Sequence, residues 1–139
     1  MVKAWGHINI TVRDLDKTID FYTKILGLKF AFQIKDEEGN IVVTYLSMAD
    51  GNFVELIHGK KMAEGAKAFN AAHMCFEVDS LEETMSFFKE NGVEIVGGPR
   101  EGRDKNLQCF ITDPDGNRIE MMQMSPDSPQ RKCQKEIRG

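Results

Sequence analysis

Polar and apolar residues alternate strictly from His7 to Val12, with His7, Asn9 and Thr11 on one face and Ile8, Ile10 and Val12 on the other. That is the period of a half-buried strand. Asp14 then caps a predicted helix running to about Leu26, whose apolar stripe is Leu15, Ile19, Tyr22 and Leu26. Gly27 ends it. Strands are predicted over Phe30–Ile34, Ile41–Met48 and Phe53–His58, separated by the turn sequences 36–40 and 50–52. The first unit thus reads β-α-β-β-β over 4–58. Residues 59–70, rich in lysine, glycine and alanine, read as a connector with room for a short helix.

From 71 to 124 the plan repeats. Met74, Phe76 and Val78 oppose His73, Cys75 and Glu77. Ser80-Leu81-Glu82-Glu83 is a capping box opening a helix that closes at Asn91-Gly92. Val93–Val96 is expected as a strand and Gly97–Lys105 as a basic, glycine-rich loop. Gln108–Thr112 and Arg118–Met124 are strands joined by the tight turn Asp113-Pro114-Asp115-Gly116-Asn117. Residues 125–139, with Pro126, Pro129 and several charges, read as a mobile C-terminal tail.

The repeat is visible residue by residue. His7/His73, Val12/Val78, Leu15/Leu81, Thr18/Thr84, Phe21/Phe87 and Tyr22/Phe88 share an offset of 66, and Gly27/Gly92 and Glu55/Glu120 an offset of 65. A fixed internal period of this kind sets the architecture. It predicts an α+β fold of two βαβββ modules, with residues 1–124 as a single domain.

Composition narrows the chemistry. The chain has 139 residues, 41% of them hydrophobic and 29% charged, which suits one folded domain. A net charge of −4 speaks against nucleic acid as a partner. No apolar run is long enough to cross a membrane, and the N-terminus lacks an apolar leader core, so no membrane partner and a cytoplasmic location are expected. Cys75, Cys109 and Cys133 share no CxxC spacing. Cys75 and Cys109 lie in apolar strand patterns, where a free thiol behaves as a small hydrophobe.

The matched polar residues carry the candidate chemistry. In each unit the first strand carries a histidine, His7 or His73, and the last a glutamate, Glu55 or Glu120. Were those strands neighbours, an imidazole and a carboxylate would meet on one sheet face. Two such pairs make a donor set of two nitrogens and two oxygens, suited to one first-row divalent metal with positions left for water or substrate. Glu55 and Glu120 each stand between apolar neighbours, where a carboxylate must be paired, exposed or bound. Arg100, Arg103 and Lys105 in the basic loop are candidates for holding a substrate carboxylate or phosphate. His58 falls on the face opposite Glu55 and is set aside.

The stretches Asp20-Phe21-Tyr22-Thr23-Lys24-Ile25-Leu26-Gly27-Leu28 and Thr112-Asp113-Pro114-Asp115-Gly116-Asn117-Arg118-Ile119-Glu120 resemble the first helix and the closing turn and ligand strand of the vicinal oxygen chelate superfamily, and within it bacterial glyoxalase I. The resemblance covers about residues 4–124 and implies that the two βαβββ modules form a cupped, barrel-like mixed sheet. It implies a homodimer in which each metal site is shared between the first module of one chain and the second module of the other. It also implies a lactoylglutathione lyase-like reaction that converts the hemithioacetal of methylglyoxal and a thiol to a hydroxyacyl thioester. Glu120 would be the base and Glu55 its partner across the metal. Nickel is the expected ion, with cobalt, zinc, manganese and iron as alternatives.

Two positions depart from that pattern. Where the bacterial enzymes place an arginine and an asparagine on glutathione, this chain has Thr11 and Gly59, so the thiol is open. Two other readings share the fold. A methylmalonyl-CoA epimerase-like isomerase would use a further glutamate on a middle strand, where Val43, Thr44 and Tyr45 stand. A non-catalytic small-molecule binding or resistance protein would lack the metal set.

Overall fold

The expected strands pair into two four-stranded mixed sheets, each with its own helix. The computed structural model describes residues 6–58 and 73–138, which fall into two compact units divided between residues 70 and 71. The first unit contains β1 (His7–Thr11), α1 (Leu15–Asp20), β2 (Lys29–Lys35), β3 (Ile41–Ser47) and β4 (Phe53–Ile57). The second contains β5 (Met74–Glu77), α2 (Leu81–Glu90), β6 (Gly97–Glu101), β7 (Leu107–Thr112), β8 (Arg118–Gln123) and α3 (Pro129–Arg138). The sheets have the orders β1-β4-β3-β2 and β5-β8-β7-β6, the same path traced twice. Each unit thus holds one four-stranded mixed sheet. Among the described residues no helix is long and apolar enough to cross a membrane.

Local chemistry explains the elements. Asp14 accepts from the Lys17 amide at 3.0 Å and Ser80 from the Glu83 amide at 3.2 Å, so both helices open on side-chain caps. In α2 the Leu81 amide is taken by Gln123 Oε1 at 2.8 Å, which ties the helix start to β8. The first helix does not run evenly to Leu26. Its last turn, Phe21–Ile25, widens to a π-turn in which the Leu26 amide reaches the Phe21 carbonyl at 3.2 Å. Gly27 follows at φ +73°, a conformation for which glycine is the natural residue. The turn at 113–117 is organised by Asp113 Oδ1, which accepts from the amides of Asp115 and Asn117 at 2.9 and 2.8 Å.

The apolar sheet faces meet the helices. Tyr22, Leu46, Val54 and Leu56 are fully buried in the first unit, and Phe88, Ile111, Ile119 and Cys109 in the second. Backbone closure also repeats: the Val12 amide reaches Ile57 O and the Val78 amide reaches Met122 O, both at 2.9 Å.

Two segments differ from expectation. Val93–Val96, expected as a strand, is not one. The strand is instead Gly97–Glu101, expected as loop, because those residues find the ladder partners Phe110, Gln108 and Leu107 on β7. Alternation alone cannot choose between adjacent segments when the partner strand decides. Residues 125–139, read as a tail, contain α3. Ser128 Oγ accepts from the Arg131 amide at 3.1 Å, and Pro129 occupies the first helical position, where its missing N–H is no loss. Arg131 binds Glu77 at 2.6 Å. The connector expected over 59–70 lies outside the described residues.

The packing gives a direct test by urea denaturation. Leu56→Ala should lower stability by about 2–5 kcal/mol through lost burial and the cavity left behind, and Ser80→Ala by about 1 kcal/mol through the lost cap. A Leu56→Ala protein as stable as the parent would contradict the core described.

Candidate functional site

β1 pairs parallel to β4, and β5 to β8. Asn9 is thereby opposite Glu55, and Cys75 opposite Glu120. Each histidine lies two residues before its strand's contact with the glutamate, on the same face. His7 Nε2 is 3.0 Å from Glu55 Oε2, and His73 Nε2 is 2.8 Å from Glu120 Oε2. The two imidazole–carboxylate pairs expected from the repeat are therefore formed, one in each unit.

The partners differ in burial for a topological reason. β1 and β5 are edge strands, so the imidazoles are open. β4 and β8 are interior strands, so Glu55 and Glu120 keep only 9% and 7% exposure. A carboxylate so buried needs donors. Glu55 has Tyr45 Oη donating to Oε2 at 2.6 Å and Asn9 Nδ2 donating to Oε1 at 2.8 Å. Glu120 has the Gln108 amide, which in the orientation its neighbours require donates to Oε1 at 2.6 Å and accepts from Arg100 Nε at 3.2 Å.

Each imidazole also meets a ring edge-on. His7 lies 5.7 Å from Tyr45, and His73 lies 5.6 Å from Phe110. Tyr45 and Phe110 hold equivalent places, opposite Glu55 and Glu120 in the antiparallel ladders. Around Tyr45 the face is aromatic, with Phe32 stacked on it at 4.5 Å and Phe53 edge-on at 5.9 Å. Around Phe110 it is cationic, with the Arg118 guanidinium carbon 4.2 Å and that of Arg100 5.6 Å from the ring centre. The hydrogen bond to Glu55, then desolvation and the same carboxylate's charge, raise the Tyr45 phenol above its usual range, so it remains a donor at neutral pH.

Asn9, Tyr45, Gln108 and Arg118 were not singled out from sequence. Asn9 was recoverable, since it shares the face of His7 two residues on. The others required the strand register. Arg100 lies on the face; Arg103 and Lys105 are exposed in the turn between β6 and β7. Thr11 is exposed on the His7 face, whereas Gly59 lies outside the described residues. Cys75 is not a buried apolar filler: it is exposed on the His73 face, while Cys109 is buried as expected.

An imidazole nitrogen directed at a carboxylate oxygen at about 3 Å, on a face open to solvent at the histidine, is a pair of suitable donors for a first-row divalent ion. Within each unit, among the described residues, no third histidine, cysteine or carboxylate joins the pair. Each pair supplies one nitrogen and one oxygen donor, part of what a first-row divalent ion takes. Cys75 lies beside the second pair, opposite Glu120 on β8. Desolvation, then the charges of Glu120, Asp104 and Glu77, push its thiol up to about 12.

Comparison with known proteins agrees with this layout. The profile of the Glyoxalase/Bleomycin resistance protein/Dioxygenase superfamily matches residues 4–121. A probable lactoylglutathione lyase of Vibrio cholerae is 30% identical over 84% of this chain and 88% of its own length. The lactoylglutathione lyase of Schizosaccharomyces pombe is 28% identical over 89% of this chain, which spans only 48% of that protein. The metallothiol transferase FosB of Staphylococcus saprophyticus is 27% identical over 87% of this chain and 77% of its own. In fold, the trypanothione-dependent glyoxalase I of Leishmania major superposes with a TM-score of 0.75 at 22% identity, covering 99% of this chain and 96% of that one.

The raised Cys75 thiol has a measurable consequence. Its thiolate, and with it the iodoacetamide alkylation rate, should keep rising with pH well above 9, the ordinary midpoint, toward about 12. Mass-spectrometric rates that level off near pH 9 would show an unperturbed thiol.

Proposed function

Because the chain belongs to the glyoxalase/bleomycin resistance protein/dioxygenase superfamily, we propose that it is a metal-dependent, glyoxalase I-like lyase acting on the hemithioacetal of methylglyoxal and a thiol. The observation that carries the reading is the duplicated imidazole–carboxylate pair, His7 with Glu55 and His73 with Glu120. Proteins of this superfamily act on small molecules and bind divalent metals. Under this proposal all four side chains hold one ion, nickel in the first instance, with cobalt, zinc, manganese or iron as substitutes. The protein is a homodimer in which each ion draws one pair from each of two chains. A cytoplasmic setting belongs to the same reading, since the co-substrate is a reduced thiol.

The reaction is an internal redistribution of a proton. The hemithioacetal carries hydrogen on the carbon bonded to sulfur and a carbonyl on the next carbon. Moving that proton to the neighbouring carbon, while the hydroxyl proton of the sulfur-bearing carbon passes to the former carbonyl oxygen, gives the 2-hydroxyacyl thioester with no change in atom count. A bound dication would supply positive charge beside the oxygens as they become anionic. Glu120 moves the proton. Its Oε1 accepts from Gln108, whereas Glu55 accepts from Asn9 and Tyr45 and is the more fully engaged. Glu55 therefore serves as the holding carboxylate. Arg100, Arg103 and Lys105 remain the basic residues assigned to the substrate.

The thiol is the open part of this reading, because Thr11 and Gly59 replace the residues expected on glutathione. An epimerase would share the proton transfer but needs no thiol. β3 offers it Val43, Thr44 and Tyr45 and no second carboxylate. A binding protein of the same fold would retain neither metal nor turnover. Similarity to a metallothiol transferase shows that relatives differ in reaction.

The test is thioester formation from methylglyoxal and glutathione by metal-stripped protein reloaded separately with nickel, cobalt, manganese and zinc. Turnover with at least one metal is expected. Glu120→Gln should retain its circular dichroism and lose about 10²–10⁴-fold in rate, the contribution of a positioned base. Glu55→Ala and His73→Ala should lower metal stoichiometry. A fully active Glu120→Gln protein would remove Glu120 as base, and unchanged metal content in both alanine variants would remove the ligand assignment.

A further inference from the structure

The two units place equivalent residues at equivalent sites, so a difference between them marks something the shared fold does not demand. Arg118 stands two residues before Glu120 on β8, as Phe53 stands two before Glu55 on β4. Phe53 packs edge-on against Tyr45 at 5.9 Å, and Arg118 lies over Phe110 at 4.2 Å. A neutral ring therefore satisfies this place in the fold, and the second unit has a guanidinium there instead. Arg100 approaches the same Phe110 ring at 5.6 Å, so two cations share one aromatic side chain.

Among the described residues no carboxylate forms a direct ion pair with either guanidinium. The carboxylates nearby in the sheet and its hairpin are engaged elsewhere: Glu77 with Arg131 at 2.6 Å, Asp104 with Asn106 at 2.7 Å, and Glu120 with His73 and Gln108. Neither Arg100 nor Arg118 has an ion pair among the described residues. Arg100 uses its Nε on Gln108, which leaves its terminal nitrogens available. Both residues are exposed. A ring face offsets little of the repulsion between two exposed cations, since a cation–π contact there is worth only about 0.5–1 kcal/mol. A guanidinium fork fits the oxygens of a carboxylate or a phosphate.

We infer that Arg118 and Arg100 form an anion subsite on the Glu120 face, which holds a carboxylate or phosphate carried by the substrate. The subsite adds a residue, Arg118, beyond the basic loop and names the substrate class: a small oxo or hydroxy compound, or its thiol adduct, with an anionic end. Describing the bound anion as part of a substrate rests on the lyase reading above; the subsite itself rests on the two guanidiniums. Glu120 repels the anion, so the charged end lies away from it while the reacting carbons lie toward it. The Arg100–Gln108–Glu120 chain links the two ends.

The experiment is NMR titration of the full chain, metal-free and at low salt, with butyrate, butyl phosphate and neutral butanol, following the arginine Nε–Hε resonances. Saturable shifts are expected with one or both anions and none with butanol. The tighter of the two anions identifies the group. Arg118→Gln and Arg100→Gln should each weaken binding about tenfold, the scale of a charge-assisted hydrogen bond. Arg118→Lys, which keeps the charge and loses the fork, should recover part of it, and Arg131→Gln, at a guanidinium already paired with Glu77, should leave it unchanged. Butanol binding as tightly as the anions, or anion affinity unmoved by both glutamine variants, would overturn the subsite. Because no metal, thiol or turnover is involved, failure of the lyase assay and failure of this binding remain separate results.

Discussion

Everything at the candidate site depends on the parallel pairing of each unit's first strand with its last. After β1 the chain crosses by α1 to the far edge at β2, and returns through β3 to β4, which lies beside β1. Period-two geometry then fixes which side chains share a face. The first strand is an edge and the last is interior, so an accessible imidazole meets a buried carboxylate. A slip of one residue would send the glutamate into the helix-covered core and the apolar residues of β4 to the open face. The pairs His7–Glu55 and His73–Glu120 are thus consequences of register as much as of residue identity.

The repeat makes most of this legible in the sequence. Offsets of 66 and 65 locate both units, both helices and the ends of the sheets, and the alternation around His7 and His73 identifies the faces. What could not be read depends on cross-strand neighbours. Tyr45 meets Glu55, and Gln108 meets Glu120, only because of how β3 and β7 are aligned. Gly97–Glu101 becomes a strand because β7 presents its edge to that segment, although Val93–Val96 alternates better. The helix at Pro129–Arg138 had a local signal in Ser128-Pro129, which its proline content and charge concealed.

The surroundings of the two carboxylates have diverged while the pairs have not. Asn9 is replaced by Cys75, Tyr45 by Phe110, and Phe53 by Arg118 at equivalent places. Glu55 is held by a phenol and an amide within an aromatic face; Glu120 is held by one amide backed by a guanidinium. A buried carboxylate whose oxygens are all engaged is well positioned but has little freedom to exchange a proton. One with fewer donors retains that freedom. Duplication supplies two matched imidazole–carboxylate pairs, and divergence around them can give the two carboxylates separate duties.

The same divergence bears on what enters the site. A binding face lined only by rings favours apolar groups without strong directional preference, whereas guanidinium forks impose both charge and orientation. With the aromatic cluster confined to the first unit and the paired arginines to the second, the two ligand-bearing faces cannot make the same contacts with a substrate. Under the proposed reading, an asymmetric molecule held at the second unit's face would be oriented by its charge, with one particular carbon toward Glu120. Orientation of that kind is what a proton transfer between adjacent carbons requires, because exchanging the two carbons would reverse donor and acceptor. Under the proposed reaction Arg118, two residues before Glu120 on β8, and Arg100, linked to Glu120 through Gln108, would set the direction of the reaction as well as affinity.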